Sequence, residues 1–151
     1  GTVAGGRRRE DDYSARRSNE VRNGARLMRV IVESPYAGPF SNVKYSRQCL
    51  RDCIDRGESP FASHLLYTQR GVLDDRVSAE RELGIACANS WLETADYIVV
   101  YCDLGISEGM ERGIEKALEA KKPIQFRWLR SGADRAMLAM IAATIQRVIK
   151  E

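Results

Sequence analysis

Residues 95–124 read ADYIVVYCDLGISEGMERGIEKALEAKKPI, and three patterns succeed one another within them. Residues 97–102 (YIVVYC) form an unbroken β-branched and aromatic run, the composition of a strand buried on both faces. Residues 107–120 then carry apolar groups at helical spacing, with Ser107 placed as the N-cap. Residues 123–128 return to a strand pattern.

The same alternation runs outward from this stretch. Toward the N-terminus, residues 78–94 predict an amphipathic helix with Leu83, Ala86, Cys87, Ser90 and Trp91 inward. Residues 59–63 (SPFAS) predict a weak strand. Residues 41–56 predict a helix capped by Ser41 or Asn42, striped by Val43, Leu50, Cys53 and Ile54, and stopped at Gly57. Residues 29–33 (RVIVE) predict a first strand ended by a Ser-Pro-Tyr-Ala-Gly-Pro turn. Toward the C-terminus, residues 132–150 predict a helix facing inward through Met137, Met140, Ile141, Ile145 and Val148. Strands alternating with helices imply a parallel sheet covered on both faces. The expectation is one three-layer, doubly wound α/β domain over residues 28–151, flavodoxin/Rossmann-like, with four to five strands. Ligands of such folds sit beyond the carboxyl ends of the strands, here after residues 33, 63 and 102.

Charge narrows the function classes. The 151 residues hold 24 Lys and Arg against 21 Asp and Glu, a net charge of +3. Residues 1–27 contain seven of those bases and four of the acids, which leaves 17 of each in the remainder. The excess therefore sits in an Arg-rich extension, expected to be flexible or weakly helical. A charge-balanced body argues against a general nucleic-acid surface, leaving at most a weak role for the extension. No apolar run approaches the roughly 20 residues of a membrane helix. The opening GTVAGGRRRE has no apolar stretch behind its arginines, so no secretory leader is expected. Cys49, Cys53, Cys87 and Cys102 lie in apolar segments and read as reduced core thiols of a cytoplasmic protein. One histidine and no second close cysteine pair argue against zinc.

Three places carry candidate chemistry. The turn containing Ser34, Pro35, Tyr36 and Phe40 is a common Pro/Gly turn into a helix, or a ligand loop in which Tyr36 and Phe40 stack on a flat base. In the loop after the central strand, Asp103 stands at the strand end and Gly105 and Gly109 permit close approach. Glu111 falls in the first turns of a helix, where the dipole favours its ionised form. An ionised carboxylate aimed into a cleft can attack an electrophilic carbon while a second carboxyl manages protons. The plainer reading makes Glu108 and Arg112 a surface pair and Glu111 one more solvated acid. Glu80 and Arg81 read as a charged solvent face, or as groups reaching a sugar hydroxyl and a phosphate. His64 reads as a structural histidine placed beyond the second strand.

The SPY turn at 34–36, the ERELGI helix at 80–85 and residues 95–124 together resemble the nucleoside 2-deoxyribosyltransferase-like family, including its small uncharacterised phage and bacterial members. The likeness spans about residues 28–128 and is most specific at Gly109-Met110-Glu111-Arg112-Gly113. It implies that Glu111 is the nucleophile and that Asp103 helps hold substrate and manage protons. It further implies that Ser34, Pro35 and Tyr36 line the sugar and base pocket, with Ser107 and Gly109 near a 5′-phosphate. The implied activity is cleavage of the N-glycosidic bond of a nucleoside or its 5′-monophosphate, by transfer or by hydrolysis, with no metal or organic cofactor. A homo-oligomer is implied as well. The loop between Asp103 and Glu111 is longer than in well-known transferases, and the family's second aspartate has no clean match near Glu80 and Arg81. A binding protein of the same fold without turnover is the alternative.

Overall fold

The computed structural model describes residues 4–36, 40–130 and 132–150, and of residues 4–10 and 40–41 the backbone alone. Helix α1 (Ala4–Arg22) precedes strand β1 (Met28–Glu33). Then follow α2 (Phe40–Asp55), β2 (Glu58–Phe61), the single turn α3 (Ser63–Leu66) and α4 (Ser78–Ser90). Strand β3 (Tyr97–Tyr101), α5 (Glu108–Glu119), β4 (Ile124–Arg127) and α6 (Arg135–Lys150) complete the described chain. The strands form one parallel sheet in the order β2-β1-β3-β4. This is the expected doubly wound α/β architecture, with four strands among the described residues.

Side chains alternate across the sheet, so each face has its own core. Val30, Val32, Val99 and Tyr101 face α2, which answers with Tyr45, Cys49 and Cys53 at a four-residue spacing. On the opposite face Val100 and Cys102 meet Met110 and Ile114 of α5 and Met137, Ile141 and Val148 of α6. Ile98 packs there on Ala117, with Ile31 beside it. Registers Ile31↔Ile98 and Glu33↔Val100 place Glu33 on this second face, at its carboxyl edge.

Two details differ from the sequence expectation. Ile54, expected inward, is 53% exposed, because the buried stripe of α2 runs through Tyr45, Cys49 and Cys53 one position around the helix. Helix α4 buries no residue at all. Leu83 and Trp91, expected inward, are exposed, and the side of α4 toward α5 borders a cavity instead of packed side chains. Trp91 is held from below, its ring 5.4 Å from Phe61 and its indole N–H donating to the Tyr67 hydroxyl at 2.9 Å.

The N-terminal extension is helical from Ala4 to Arg22. It meets the domain at the carboxyl end of α2, where the Tyr13 hydroxyl donates to the Asp55 carbonyl and Arg17 donates to the Arg56 carbonyl at 3.3 Å. The four thiols are free, with Cys49, Cys53 and Cys102 buried and Cys87 half-buried. Among the described residues no helix is long and apolar enough to cross a membrane.

Candidate functional site

The strand order puts the sheet's switch point between β1 and β3, where successive connections depart in opposite directions. A cavity of about 590 Å³ lies beside it, over the ends of β1 and β2 and between α4 and α5. Its size is that of a small-ligand site. A second cavity of about 580 Å³ adjoins it through Tyr36, Thr68, Leu73, Asp75 and Glu80, and carries Arg70, Asp74 and Arg76 on its outer side.

The inner wall is the end of β1. Ser34, with the opposite orientation to Glu33, turns toward α2 and is buried. Its hydroxyl lies 2.8 Å from the Ser46 hydroxyl and 3.0 Å from His64 Nε2, which is 3.3 Å from Ser46 in turn. Ser46 also reaches the Pro35 carbonyl at 3.3 Å, so α2 and the segment after β2 brace the turn. Burial pushes the His64 imidazole down to about 4, leaving it neutral at physiological pH. A ring of such low basicity is a poor acceptor of a serine proton, so the Ser34–His64 contact serves the wall and not a nucleophilic dyad. The Tyr36 ring stands 5.4 Å from His64 and lines the cavity.

Glu33 lines the cavity from the other face of β1. It is half-buried and has no hydrogen-bond or ion-pair partner among the described residues. Burial alone pushes its carboxyl from 4.5 up to about 8. Gly113 makes room for it: a Cβ on that glycine would stand 2.2 Å from Glu33 Oε1. Any side chain there would displace the carboxyl, so a side chain closely approaches the helix backbone at Gly113. Gly109 borders the cavity, and a Cβ on it would meet only the Ser107 hydroxyl, at 3.9 Å.

The far wall is α5. Its N-cap is Ser107, whose hydroxyl accepts from the Met110 amide at 3.3 Å, as the sequence predicted. Ser107, Glu108, Gly109, Arg112 and Gly113 line the cavity. Glu111 does not. It projects toward α6, where Oε1 accepts from Arg147 Nε at 3.0 Å and again from Nη2.

Asp103 also stands apart from the cavity lining. Its carboxylate accepts from the Tyr45 hydroxyl at 2.6 Å, from the Leu129 amide at 2.8 and 3.0 Å and from the Arg130 amide at 3.1 Å. Burial would raise its pKa, but these donors more than offset that and hold it below the usual range. Asp103 thus ties β3 to the segment after β4 and to α2.

Of the residues singled out in the sequence, the cavity gathers Ser34, Tyr36, His64, Glu80, Arg81, Ser107 and Gly109. Pro35 is buried behind it, and the Phe40 side chain lies outside the described residues. Sequence reasoning passed over Glu33, Tyr67, Glu108 and Arg112 as lining groups. A signal for Glu33 existed: alternation through VIVE sets it on the same face as Ile31, a carboxyl where the sheet is otherwise apolar. Among the described residues no three His, Cys, Asp or Glu side chains come together as a metal site would require.

Residues 28–127 match the family described as Domain of unknown function (DUF7768). Comparison with curated proteins finds no match. Among solved structures, the 2-deoxyribosyltransferase of the psychrotolerant bacterium Bacillus psychrosaccharolyticus superposes with a TM-score of 0.52 at 16% identity, over 73% of this chain and 79% of that one. A likeness at that identity is one of fold.

Proposed function

The chain belongs to DUF7768, whose description names no chemistry, and we propose that its cavity binds a nucleoside or nucleoside 5′-monophosphate and cleaves the N-glycosidic bond. The observation that carries this reading is the make-up of the cavity. At the switch point of the sheet, Tyr36 and Tyr67 offer flat apolar surface for a base, and Glu33, Glu80 and Glu108 offer carboxyl groups for sugar and glycosidic nitrogen. The start of α5, with Ser107, Gly109 and the guanidinium of Arg112, suits a 5′-phosphate. The fold shared with a 2-deoxyribosyltransferase supports the same reading.

The resemblance gives the attack on C1′ to Glu111, forming a glycosyl-enzyme ester through an oxocarbenium-like transition state. A second base then accepts the sugar in transfer, or water accepts it in hydrolysis. For this, Glu111 leaves Arg147 and swings toward the cavity; the pair is partly exposed, 57% at the arginine, and parting it costs about 0–1 kcal/mol. Asp103 acts in this reading as a positioning residue for the loop that carries α5. No metal or organic cofactor is required. A homo-oligomer belongs to the proposal, and the exposed Leu83, Ile85 and Trp91 at α4 supply apolar surface for a second copy.

The Glu111–Arg147 pair favours the second reading, a nucleotide-binding protein without turnover. One experiment separates the two. The protein is incubated with a panel of deoxynucleosides and their 5′-monophosphates, with and without a free acceptor base, and base release or exchange is followed by chromatography. Catalysis predicts turnover by the wild type and a loss of roughly 10³-fold or more in Glu111→Gln. Tight calorimetric binding without turnover, equal in wild type and Glu111→Gln, selects the binding protein.

A further inference from the structure

We propose that Glu33 is the general acid of this site, giving its carboxyl proton to the base as the N-glycosidic bond breaks. The assignment rests on the glycosidic reading above. Three observations place Glu33 in the role. It lines the cavity at the carboxyl end of β1, the first strand at the switch point. Its carboxyl is unpaired among the described residues, so no arginine or lysine holds it ionised. Gly113 on α5 leaves the space its oxygens occupy, which keeps them against the wall that also carries Glu108 and Arg112.

Other ionisable groups share the cavity: His64 after β2, Asp75 before α4, Glu80 and Arg81 on α4, and Glu108, Arg112, Glu115 and Lys116 on α5. None of them sets the state of Glu33, whose protonation follows from burial alone. His64, held neutral and occupied by Ser34 and Ser46, is the weaker candidate for donating a proton. Glu33 therefore stands protonated at neutral pH.

The O–H bond of Glu33 breaks and an N–H bond forms on the departing base. The C1′–N bond breaks and its electron pair leaves with the base. The Glu111 carboxylate takes the bond to C1′; water, or the acceptor base in transfer, then displaces it, and the proton that the incoming group sheds returns to the Glu33 carboxylate. Purines and pyrimidines depart as anions unless protonated, which is why an acid at this position accelerates the reaction.

The test compares leaving groups in the full-length protein. Glu33→Gln is expected to lower kcat/KM on an ordinary purine nucleoside, or its 5′-monophosphate, by roughly 10²- to 10⁴-fold. On the N7-methylated counterpart, whose base leaves neutral without a proton, the loss is expected to stay within about tenfold. The wild-type kcat/KM on the ordinary substrate is expected to fall above about pH 8, and both Glu33→Gln and the N7-methylated substrate to lack that limb. Equal losses on both leaving groups, or no loss on either, overturn the role of Glu33 and leave the glycosidic reading standing. Absence of wild-type turnover on every substrate overturns the glycosidic reading and this assignment together. The wild-type protein also answers without any variant: the ¹³C resonance of the Glu33 carboxyl is expected to titrate near pH 8, and titration in the ordinary carboxylate range removes the acid from the site.

Discussion

Glu33 and His64 line one cavity, and burial drives each toward its neutral form. The consequences for stability have opposite signs. The Glu33 carboxyl titrates at about 8 folded against 4.5 ordinarily, so between those values the native state holds a proton that the unfolded chain has lost. Raising the pH then favours unfolding, by up to about 1.4 kcal/mol per pH unit. His64 titrates at about 4 folded against 6.5 ordinarily, so the unfolded chain binds the extra proton in that window and stability rises with pH. The two slopes oppose each other up to about pH 6.5, and from there to about pH 8 Glu33 acts alone. Urea unfolding followed across this range should show wild-type stability declining from pH 6.5 to 8, and Glu33→Gln should remove the decline. A flat wild-type profile over that interval would mean that the carboxyl is already ionised. Neither shift was legible in the sequence, since a strand-end glutamate and a lone histidine acquire them only from what α4, α5 and α2 bring around them.

At the scale of the element, α5 shows how one helix divides its residues. Met110, Ile114 and Ala117 face the core at the spacing that the sequence displays. Ser107, Gly109 and Gly113 border the cavity, and Glu111 points to α6. The helix, its cap and its buried stripe were legible because they depend on local spacing. The direction of Glu111 was not, because it depends on Arg147, thirty-six residues away on α6. For the same reason α4 was misjudged: it turns Gly84, Ile85 and Ala88 to a void beside α5, and leaves the expected stripe through Leu83 and Trp91 exposed. The role of Gly113 is testable. Gly113→Ala gains about 1 kcal/mol of helix propensity, and its methyl would collide with the far end of a flexible Glu33 side chain instead of backbone. Thermal stability should therefore change little, within about 1 kcal/mol of wild type. The carboxyl, pushed off its wall, should titrate below its wild-type value in ¹³C NMR. A large loss of stability with an unmoved Glu33 resonance would show that the wall cannot yield.

At the scale of the molecule, the two faces of the sheet are closed unequally. Helices α5 and α6 pack on one face, while the apolar cluster of the other draws its buried helical residues from α2. Polar side chains complete the face toward α2. Arg127 at the end of β4 reaches Glu58 at the start of β2 with two hydrogen bonds of 2.7 and 2.6 Å, both residues buried. Gln125 accepts from the same guanidinium at 2.8 Å, and Tyr101 donates to Asp52 at 2.6 Å. Burial opposes the ionised form of Glu58, yet Arg127 more than offsets it and holds the carboxylate below its ordinary range. The pair joins the two edge strands of the sheet, a long-range contact that no local pattern in the sequence announces. Removing one partner leaves the other charge buried and unmatched, which costs about 3–5 kcal/mol. Glu58→Leu alone should lower stability by that amount, about a 10 °C fall in Tm for a chain of this size. Replacing both charges, as Glu58→Leu with Arg127→Met, should recover most of the loss, since two apolar side chains of similar volume owe no desolvation. If the double variant is as unstable as the single one in urea, Arg127 stabilises the sheet through Gln125 and Tyr101 and not through its charge.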